Sequence, residues 1–590
     1  MVTLGMSGLH DAVAFKKREL PGLLRHQYSI VQGLDSAAAI VERNKVRAAV
    51  AEERLTGEKG TGAFPIHAIR QCLQTAQVPI DRIDHIAHGF SYEPHRSFYD
   101  ASDYTRRQFE SVYAREVQVA HLEHHFPGAD LANRFVQVPH HLAHAASTFY
   151  PSGFDESLIL VADGMGESES LTVGIGSRDG ITVLKTIPAL HSLGILYGTV
   201  TLYLGFEMAS DEYKVMGLAP YGSAAPYFDT FMSFVTLKDD GTLLVPLLAH
   251  DRTLEQKETH AGVLQFLSET LGPARCPNAE ITQHHKDVAS ALQATLQTCL
   301  LHVLRYFKEK TRQRNLCMAG GVALNCAANG VVNRSRLFKR MFVQPAAGDD
   351  GTAVGAALYL QHIKDPQVPA ADAGPPLWGP EYDQALIDCA LADCSDCAHS
   401  SVHPFERLAA LVASRLAAGE VVAWFQCRAE FGPRALGNRS ILADARDPGM
   451  RDRLNALIKE RESFRPFAPA VTAETAGHYF DIAPGDEHAH AHMLLVEPVR
   501  PAYRERLPAV THVDGSARVQ VVRREDNPRF WTLLAAFGAQ TGMPVLLNTS
   551  FNLRGQPMVC TPEQAIDTFL RSRIDLLVLG DSLVTRKSNA

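Results

Sequence analysis

Short apolar runs that predict buried strands alternate along this chain with longer segments of helical periodicity, and this alternation constrains the fold most strongly. Strand candidates lie at residues 48–51, 158–162 and 316–319, and residues 288–307 form a helix candidate between the last two. Strands that alternate with helices are typical of layered α/β architectures. The sequence therefore predicts an α/β protein.

A proline-rich segment divides the chain. With 590 residues, the chain is too long for a single hydrophobic core. Residues 364–380 contain five prolines, a composition typical of a linker. We therefore expect an N-terminal domain over residues 1–365, a linker over 366–380 and a C-terminal domain over 381–590.

Charge and hydropathy exclude several partners. The formal net charge is −8, which argues against general binding to nucleic acid. No run of eighteen apolar residues occurs, so we expect no membrane span, and the first residues lack the pattern of a secretion signal. These features predict a cytoplasmic protein that binds neither membranes nor nucleic acid.

Two histidines and two acidic segments predict a metal centre. His140 and His144 are four residues apart, so on a helix both imidazoles share one face and can bind one transition metal. Asp163 ends a predicted strand, and Asp349 and Asp350 follow far downstream. The residues between the histidines include no glutamate, which disfavours hydrolysis by a zinc-protease mechanism. A site with two imidazoles and one or two carboxylates leaves room for a substrate oxygen.

Other segments predict binding of a nucleotide or another anion. Gly320 and Gly321 follow a predicted strand, where glycine lets the backbone approach a ligand closely. Together with the turn at Asp35, they suggest an actin-like fold that encloses an adenylate. The second half of the chain is rich in cations that alternate with glycine, proline and phenylalanine, a pattern that favours an anion pocket over unrelated ion pairs. These cations are Arg434, Arg439, Lys459, Arg461, Arg465 and Arg518.

Long motifs in this order resemble the O-carbamoyltransferases of antibiotic and nodulation-factor biosynthesis. The motifs span nearly the whole chain and occupy residues 34–38, 51–54, 140–144, 163–167, 212–222, 320–321, 430–440, 459–469 and 548–552. The resemblance implies an actin-like (ASKHA) N-terminal domain joined to a YrdC-like α/β C-terminal domain. It also implies that the C-terminal domain makes carbamoyl adenylate from carbamoyl phosphate and ATP, and that the N-terminal domain transfers the carbamoyl group to a hydroxyl of a small natural product.

The same resemblance implies the cofactors and the site residues. Iron, as Fe2+, would be bound by His140, His144, Asp163 and Asp350, where Asp350 is chosen from the acidic pair by analogy with related transferases. Mg2+ would accompany ATP. Contacts to the nucleotide and the carbamoyl donor are implied for Lys214, Gly320, Gly321, Asn325, Arg439, Lys459, Arg461, Arg518, Ser550 and Asn552. Catalytic roles are implied for Asp35, Lys59, Arg439 and Lys459. A homodimer is expected because members of the family often dimerise.

One departure from the family pattern and two other functions complete these expectations. Leu34 stands where the family has a histidine, so the identity of the general base is left open. His10 and His26 are the candidates to replace that histidine. The first alternative function is threonylcarbamoyl transfer to tRNA, which the acidic net charge disfavours. The second is a non-catalytic nucleotide-binding protein of the actin or Hsp70 type, in which a histidine pair would have no purpose.

Overall fold

The computed structural model describes residues 1–366, 374–459, 462 and 464–587. Two compact units emerge, Met1–Glu52 with Gly60–Ala373 and Glu53–Lys59 with Gly374–Ala590. The segment Glu53–Lys59 groups with the second unit, which nothing in the sequence signalled. The predicted linker over 366–380 falls partly on residues outside the described ones, so its limits stay a prediction. Within the described ranges, no helix combines the length and apolar character needed to cross a membrane.

The first unit contains a five-stranded mixed sheet. Its strands are β1 (Val2–Met6), β2 (Ala37–Glu42), β3 (Lys45–Ala51), β4 (His85–His88) and β5 (Phe135–Gln137). Their spatial order is β3-β2-β1-β4-β5. The first three strands pair in antiparallel fashion, whereas β4 and β5 join in parallel.

A second sheet in the same unit repeats this arrangement. Its strands are β6 (Ser157–Ala162), β7 (Glu169–Ser177), β8 (Gly180–Pro188), β11 (Asn315–Ala319) and β12 (Arg340–Val343), and the intervening β9 (Thr236–Leu237) and β10 (Leu243–Leu244) form a separate two-stranded hairpin. From its other edge, the order β8-β7-β6-β11-β12 again has three antiparallel strands followed by two parallel ones. This duplication confirms the predicted actin-like class.

Helices alternate with these strands along the chain. In chain order they are α1 (Ala12–Glu19), α2 (Glu53–Thr56, in the segment that groups with the second unit), α3 (Ile66–Ala76), α4 (Arg96–Tyr99), α5 (Asp103–Gln108), α6 (Arg115–His125), α7 (His140–Phe149), α8 (Leu193–Tyr203), α9 (Glu212–Leu218), α10 (Phe228–Ser233), α11 (Leu254–Thr259), α12 (Ala261–Leu271), α13 (Gln283–Thr311), α14 (Cys326–Arg334) and α15 (Asp350–Lys364). The predicted helix over 288–307 lies inside α13.

The helices α7 and α15 pack directly against each other. Each follows the fifth strand of its own sheet, so the two occupy equivalent positions in the duplicated fold. Their backbones approach so closely that a Cβ atom on Gly355 would lie 1.8 Å from the carbonyl oxygen of Ala143. Only glycine permits this approach, and it fixes the two helix N-termini side by side.

The second unit is a separate α/β structure. Its strands are β13 (Cys397–Ser401), β14 (Val422–Phe425), β15 (Arg439–Asp444), β16 (Ala468–Thr472), β17 (Val496–Pro498), β18 (Ser516–Arg518), β19 (Gln520–Val522), β20 (Val545–Ser550), β21 (Leu576–Leu579) and β22 (Ser582–Arg586), and its helices are α16 (Gln384–Ala392), α17 (Phe405–Ala417), α18 (Met450–Leu454), α19 (Ala476–Tyr479), α20 (Pro501–Arg504), α21 (Pro528–Thr541) and α22 (Pro562–Arg571). Eight strands form one sheet in the order β13-β22-β21-β14-β15-β20-β16-β19, and β17 pairs with β18.

The large sheet of the second unit is buried on both faces. Along β14, Ala423 and Phe425 pack into one apolar cluster while Trp424 packs into another on the opposite face. Leu547 and Leu546 divide between the same two clusters. A strand that is covered on both faces needs apolar side chains at successive positions, which explains the continuous apolar sequence of β14.

Candidate metal centre

Three elements of the first unit converge on one buried point. His140 is the first residue of α7, and His144 follows one turn later with its imidazole on the same face. Asp163 comes directly after β6, and Asp349 directly precedes α15. Both imidazoles are fully buried. Two helix N-termini and the carboxyl end of a strand therefore supply the four side chains.

The distances within this cluster match those expected around one metal ion. The Nε2 atoms of His140 and His144 are 3.1 Å apart, and the Nε2 atom of His140 lies 3.4 Å from a carboxylate oxygen of both Asp163 and Asp349. The corresponding distances from His144 are 3.9 and 3.6 Å. Metal–ligand bonds of about 2.1 Å place neighbouring ligand atoms about 3.0 to 3.4 Å apart. The cluster thus needs only a small contraction to bind an ion.

Hydrogen bonding and charge prepare the same atoms for a cation. The Nδ1–H group of His140 donates to the carbonyl of Gly89 at 2.9 Å, so the neutral ring directs the lone pair of Nε2 into the cluster. Burial acts to lower the pKa of His140, but Asp349 and Asp163 outweigh it and raise that pKa well above its ordinary value. Burial acts to raise the pKa of both carboxyl groups, yet the imidazoles hold each below its usual range. Lone pairs and negative charge therefore converge, and the donor set fits a divalent transition metal.

The structure places Asp349, rather than the predicted Asp350, in this cluster. The carboxylate of Asp350 accepts the backbone N–H of Gly351 at 3.0 Å, whereas that of Asp349 faces both imidazoles. Successive residues of a helix are rotated by about 100° around its axis, so neighbouring side chains cannot share one target. Because the selection depends on the residue at which α15 begins, the spacing in the sequence could not make it.

The predicted glycines hold a member of the cluster in place. The backbone N–H of Gly321 donates to Oδ1 of Asp163 at 2.8 Å, which leaves Oδ2 for the imidazoles. Gly320 has a φ of 89°, and a Cβ atom there would lie 2.3 Å from the carbonyl oxygen of Ala162. Asn325 caps α14 and exchanges two hydrogen bonds with Gln293. Any contact of these residues with adenosine stays a prediction.

Among the described residues, three other predicted site residues are not part of the four-residue metal cluster. Asp35 is exposed and has a φ of 60°. Lys59 is exposed within the segment that groups with the second unit. Lys214 forms an ion pair with Asp211 at 2.9 Å. Their catalytic and nucleotide-binding roles stay predictions.

A smaller cluster of His10, Asp11 and His121 also brings ligand atoms together. The backbone N–H of Phe64 donates to Nδ1 of His10 at 2.9 Å. This bond requires the proton of the neutral ring to be on Nε2, the atom that faces Asp11. His10 therefore offers no lone pair to a metal there, and its engaged Nδ1 also argues against His10 as the general base.

Arg439 is enclosed by the fold, and its predicted contact with an anion stays a prediction. Its side chain is fully buried, and the guanidinium donates to backbone carbonyl groups and stacks on the ring of Phe425 at 3.6 Å. The carbonyl groups are those of Pro380, Gln426, Cys427 and Asn438. The guanidinium is thus occupied by the fold, because the loop that precedes β15 closes around it.

The remaining predicted residues of the second unit are only partly brought together. Ser550 pairs with Ser440 across β15 and β20, and its hydroxyl donates to Asn552 at 2.6 Å. Arg518 ends β18. The side chain of Lys459 and the whole of Arg461 lie outside the described residues. An ATP site in this unit is therefore still a prediction.

Two groups that orient His140 could not be identified from sequence patterns. The carbonyl of Gly89 fixes the position of the ring proton, and the ring of Phe90 stacks on the imidazole with centroids 4.1 Å apart. Both residues directly follow β4, far from the histidine motif in sequence.

Comparison with known proteins identifies related sequences along most of the chain. Residues 31–358 match the family model described as Carbamoyltransferase N-terminus, and residues 413–586 match Carbamoyltransferase C-terminus. Nodulation protein NolNO of Sinorhizobium fredii is 37% identical over 100% of this chain and 83% of its own length. The 3'-hydroxymethylcephem-O-carbamoyltransferase of Streptomyces clavuligerus is 31% identical over 68% of this chain and 72% of its own length. Among solved structures, the activator of the 2-hydroxyisocaproyl-CoA dehydratase from Clostridium difficile covers 62% of this chain and 97% of its own, at 15% identity and a TM-score of 0.31.

Proposed function

We propose a specific reaction for this chain, which belongs to the carbamoyltransferase family and is a transferase by that membership. The enzyme makes carbamoyl adenylate from carbamoyl phosphate and ATP, and it then transfers the carbamoyl group to a hydroxyl of a small natural-product acceptor. The cephem O-carbamoyltransferases among its relatives support an alcohol as the acceptor. The tRNA-modifying and non-catalytic alternatives have no comparable support.

The observation that carries this proposal is the buried cluster of two imidazoles and two carboxylates in the first unit. Transfer of an acyl group to an alcohol builds negative charge on the carbonyl oxygen. Fe2+ held by His140, His144, Asp163 and Asp349 would act as a Lewis acid towards that oxygen. A nucleotide-binding protein without this chemistry would have no use for a buried set of metal ligands.

The chain's own groups prepare this site before any substrate arrives. The carbonyl of Gly89 holds the ring of His140 in the tautomer that presents Nε2. The N–H of Gly321 occupies one oxygen of Asp163 and so directs the other oxygen to the imidazoles. Since these partners are backbone groups that closely follow strands of the two sheets, the ligand geometry depends on the fold and not on mobile side chains.

Adenylation explains the use of two substrates. Water removes phosphate from carbamoyl phosphate to give carbamate, and a carbamate oxygen then attacks the α-phosphorus of ATP with loss of pyrophosphate. The acceptor hydroxyl displaces AMP from the resulting mixed anhydride and loses its proton. We assign the adenylation step to the second unit, with Mg2+, Lys459, Arg461, Arg518, Ser550 and Asn552 around the phosphates. In this assignment Arg439 shapes the loop instead of binding the anion.

The test combines product analysis with one substitution. The full chain is incubated without oxygen with Fe2+, Mg2+, ATP, carbamoyl phosphate and a panel of hydroxylated acceptors, and AMP, pyrophosphate and carbamoylated product are measured. We expect His140→Ala to abolish the carbamoylated product while the formation of pyrophosphate continues. Failure of the wild-type chain to form pyrophosphate with any acceptor would contradict the proposal. An equal loss of pyrophosphate and product in a folded His140→Ala variant would contradict the division between two units.

A further inference from the structure

Glu167 holds the main chain at the start of the helix that carries both imidazoles. Its carboxylate accepts the backbone N–H of His140 with both oxygens, at 2.9 and 3.1 Å. One of these oxygens also accepts the backbone N–H of Ser91 at 2.6 Å. The side chain is nine-tenths buried, so these three hydrogen bonds are protected from water.

The two segments that Glu167 joins are those that orient the ring of His140. Ser91 lies two residues after Gly89, whose carbonyl accepts the Nδ1–H group of His140. Phe90, between them, stacks on the imidazole with ring planes 12° apart. The carboxylate therefore fixes the backbone of His140 relative to both groups that set the rotation of its ring.

The loop that supplies Glu167 also begins with a metal ligand and packs against the imidazoles. Glu167 lies four residues after Asp163. A Cβ atom on Gly166 would lie 2.9 Å from the ring of His141 and 3.4 Å from that of His140, so glycine lets the loop close over both rings. The side-chain amide of Gln32 donates to the carbonyl of Gly166 at 2.7 Å and holds the loop from its outer side.

We propose that Glu167 is a positioning residue of the metal centre, one that sets the affinity for the ion by orienting His140 without contacting the ion itself. This inference rests on the proposed function only in taking the four-residue cluster as a metal site. A carboxylate is suited to this position because it accepts three N–H bonds without bringing a donor of its own, and because helix N-termini favour negative charge. Glutamine has the same shape, but its amide N–H would oppose a backbone N–H.

Affinity for Co2+ tests the proposal in the full-length chain. Co2+ serves as an air-stable probe, and its dissociation constant is measured by competition with a chelator for the wild type, Glu167→Gln, Glu167→Asp and the control Glu169→Gln. Loss of an outer partner of a metal ligand typically weakens binding about 10- to 100-fold, and we expect a loss in that range for Glu167→Gln. Glu167→Asp, which keeps the charge, should fall between the wild type and Glu167→Gln. Glu169→Gln removes the same charge two residues further along and should bind Co2+ as the wild type does.

Thermal unfolding of the metal-free variants separates positioning from general support of the fold. A lowered unfolding midpoint for Glu167→Gln with unchanged Co2+ affinity would overturn the inference, as would equal losses of affinity in Glu167→Gln and Glu169→Gln. A wild-type chain that binds Co2+ but never forms carbamoylated product would refute the proposed function and leave the role of Glu167 intact. Absence of Co2+ binding by the wild-type chain would overturn the positioning role itself.

Discussion

Adjacent aspartates at the start of α15 provide a matched pair of substitutions. Asp349→Asn and Asp350→Asn remove the same charge from neighbouring positions, yet only the carboxylate of Asp349 faces the imidazoles, at 3.4 and 3.6 Å. Two unit charges about 4 Å apart attract by about 4 kcal/mol at the effective dielectric of a partly buried site. A direct ligand must also matter more than an outer partner, whose loss costs about 10- to 100-fold in affinity.

We therefore expect Asp349→Asn to weaken Fe2+ binding by more than about 100-fold, which is about 2.8 kcal/mol. Asp350→Asn should leave the affinity unchanged, because its side chain accepts a bond from Gly351 that the amide oxygen can still accept. It should lower the free energy of unfolding by at most about 1 kcal/mol, through loss of a negative charge at a helix N-terminus.

The assay is an anaerobic Fe2+ titration of each variant against a coloured chelator, followed by measurement of carbamoylated product at saturating Fe2+. Thermal unfolding of the metal-free proteins checks that both variants are folded. Normal Fe2+ affinity in Asp349→Asn together with a large loss in Asp350→Asn would refute the assignment of the fourth ligand. Equal, small effects in both variants would refute the cluster as a metal site.

Three further substitutions test other parts of the structure. Gly355→Ala should force α7 and α15 apart, destabilising the first unit by about 1 to 3 kcal/mol and weakening Fe2+ binding, as thermal unfolding and titration will show. Arg439→Lys should lower the unfolding midpoint of the second unit without any ligand present, because lysine cannot satisfy the carbonyl groups that the guanidinium binds; an unchanged midpoint would restore the case for an anion-binding role. Burial raises the pKa of Glu212 to about 6, so the folded state holds the proton more tightly and stability should fall as pH rises from about 4.5 to about 6. The resulting loss in the free energy of unfolding is at most about 2 kcal/mol across this pH range. Glu212→Gln should remove this pH dependence, which denaturant unfolding at a series of pH values will measure.

The sequence was sufficient where one local rule determines the position of a side chain. The spacing of His140 and His144 directs both imidazoles to one helix face, and an apolar run that ends in Asp163 directs that carboxylate to the edge of a sheet. The choice between Asp349 and Asp350 depends instead on where a helix begins, and sequence patterns do not resolve that boundary to one residue. The alternation of elements predicts the α/β class, whereas the duplicated strand order is visible only in the structure.

Tertiary partners explain the remaining differences. A run of cations between glycine and proline predicts an anion pocket, but the same residues also suit a buried guanidinium that binds carbonyl groups, and Arg439 takes this second role. Glu430 likewise accepts hydrogen bonds from three backbone N–H groups, those of Leu436, Asn438 and Arg439. The donors and the acceptor all belong to the same motif. The partners of both side chains are backbone atoms, and a sequence motif gives no information about backbone direction.

Charge balance links the duplicated fold to the chemistry of the site. The fifth strand of each sheet leads into a helix, and the N-termini of those helices bring Asp349 and the two imidazoles to the end of β6, where Asp163 lies. Two ionised carboxylates at a buried point are costly unless positive charge compensates them. A proton on His140 balances one of them, whereas a divalent cation bound to neutral imidazoles balances both. The positive potential of the helix N-termini favours the ionised carboxylates but opposes either cation, so it does not decide between proton and metal. The metal is favoured because it balances both carboxylates, and acid should displace it by protonating His140 before it unfolds the protein.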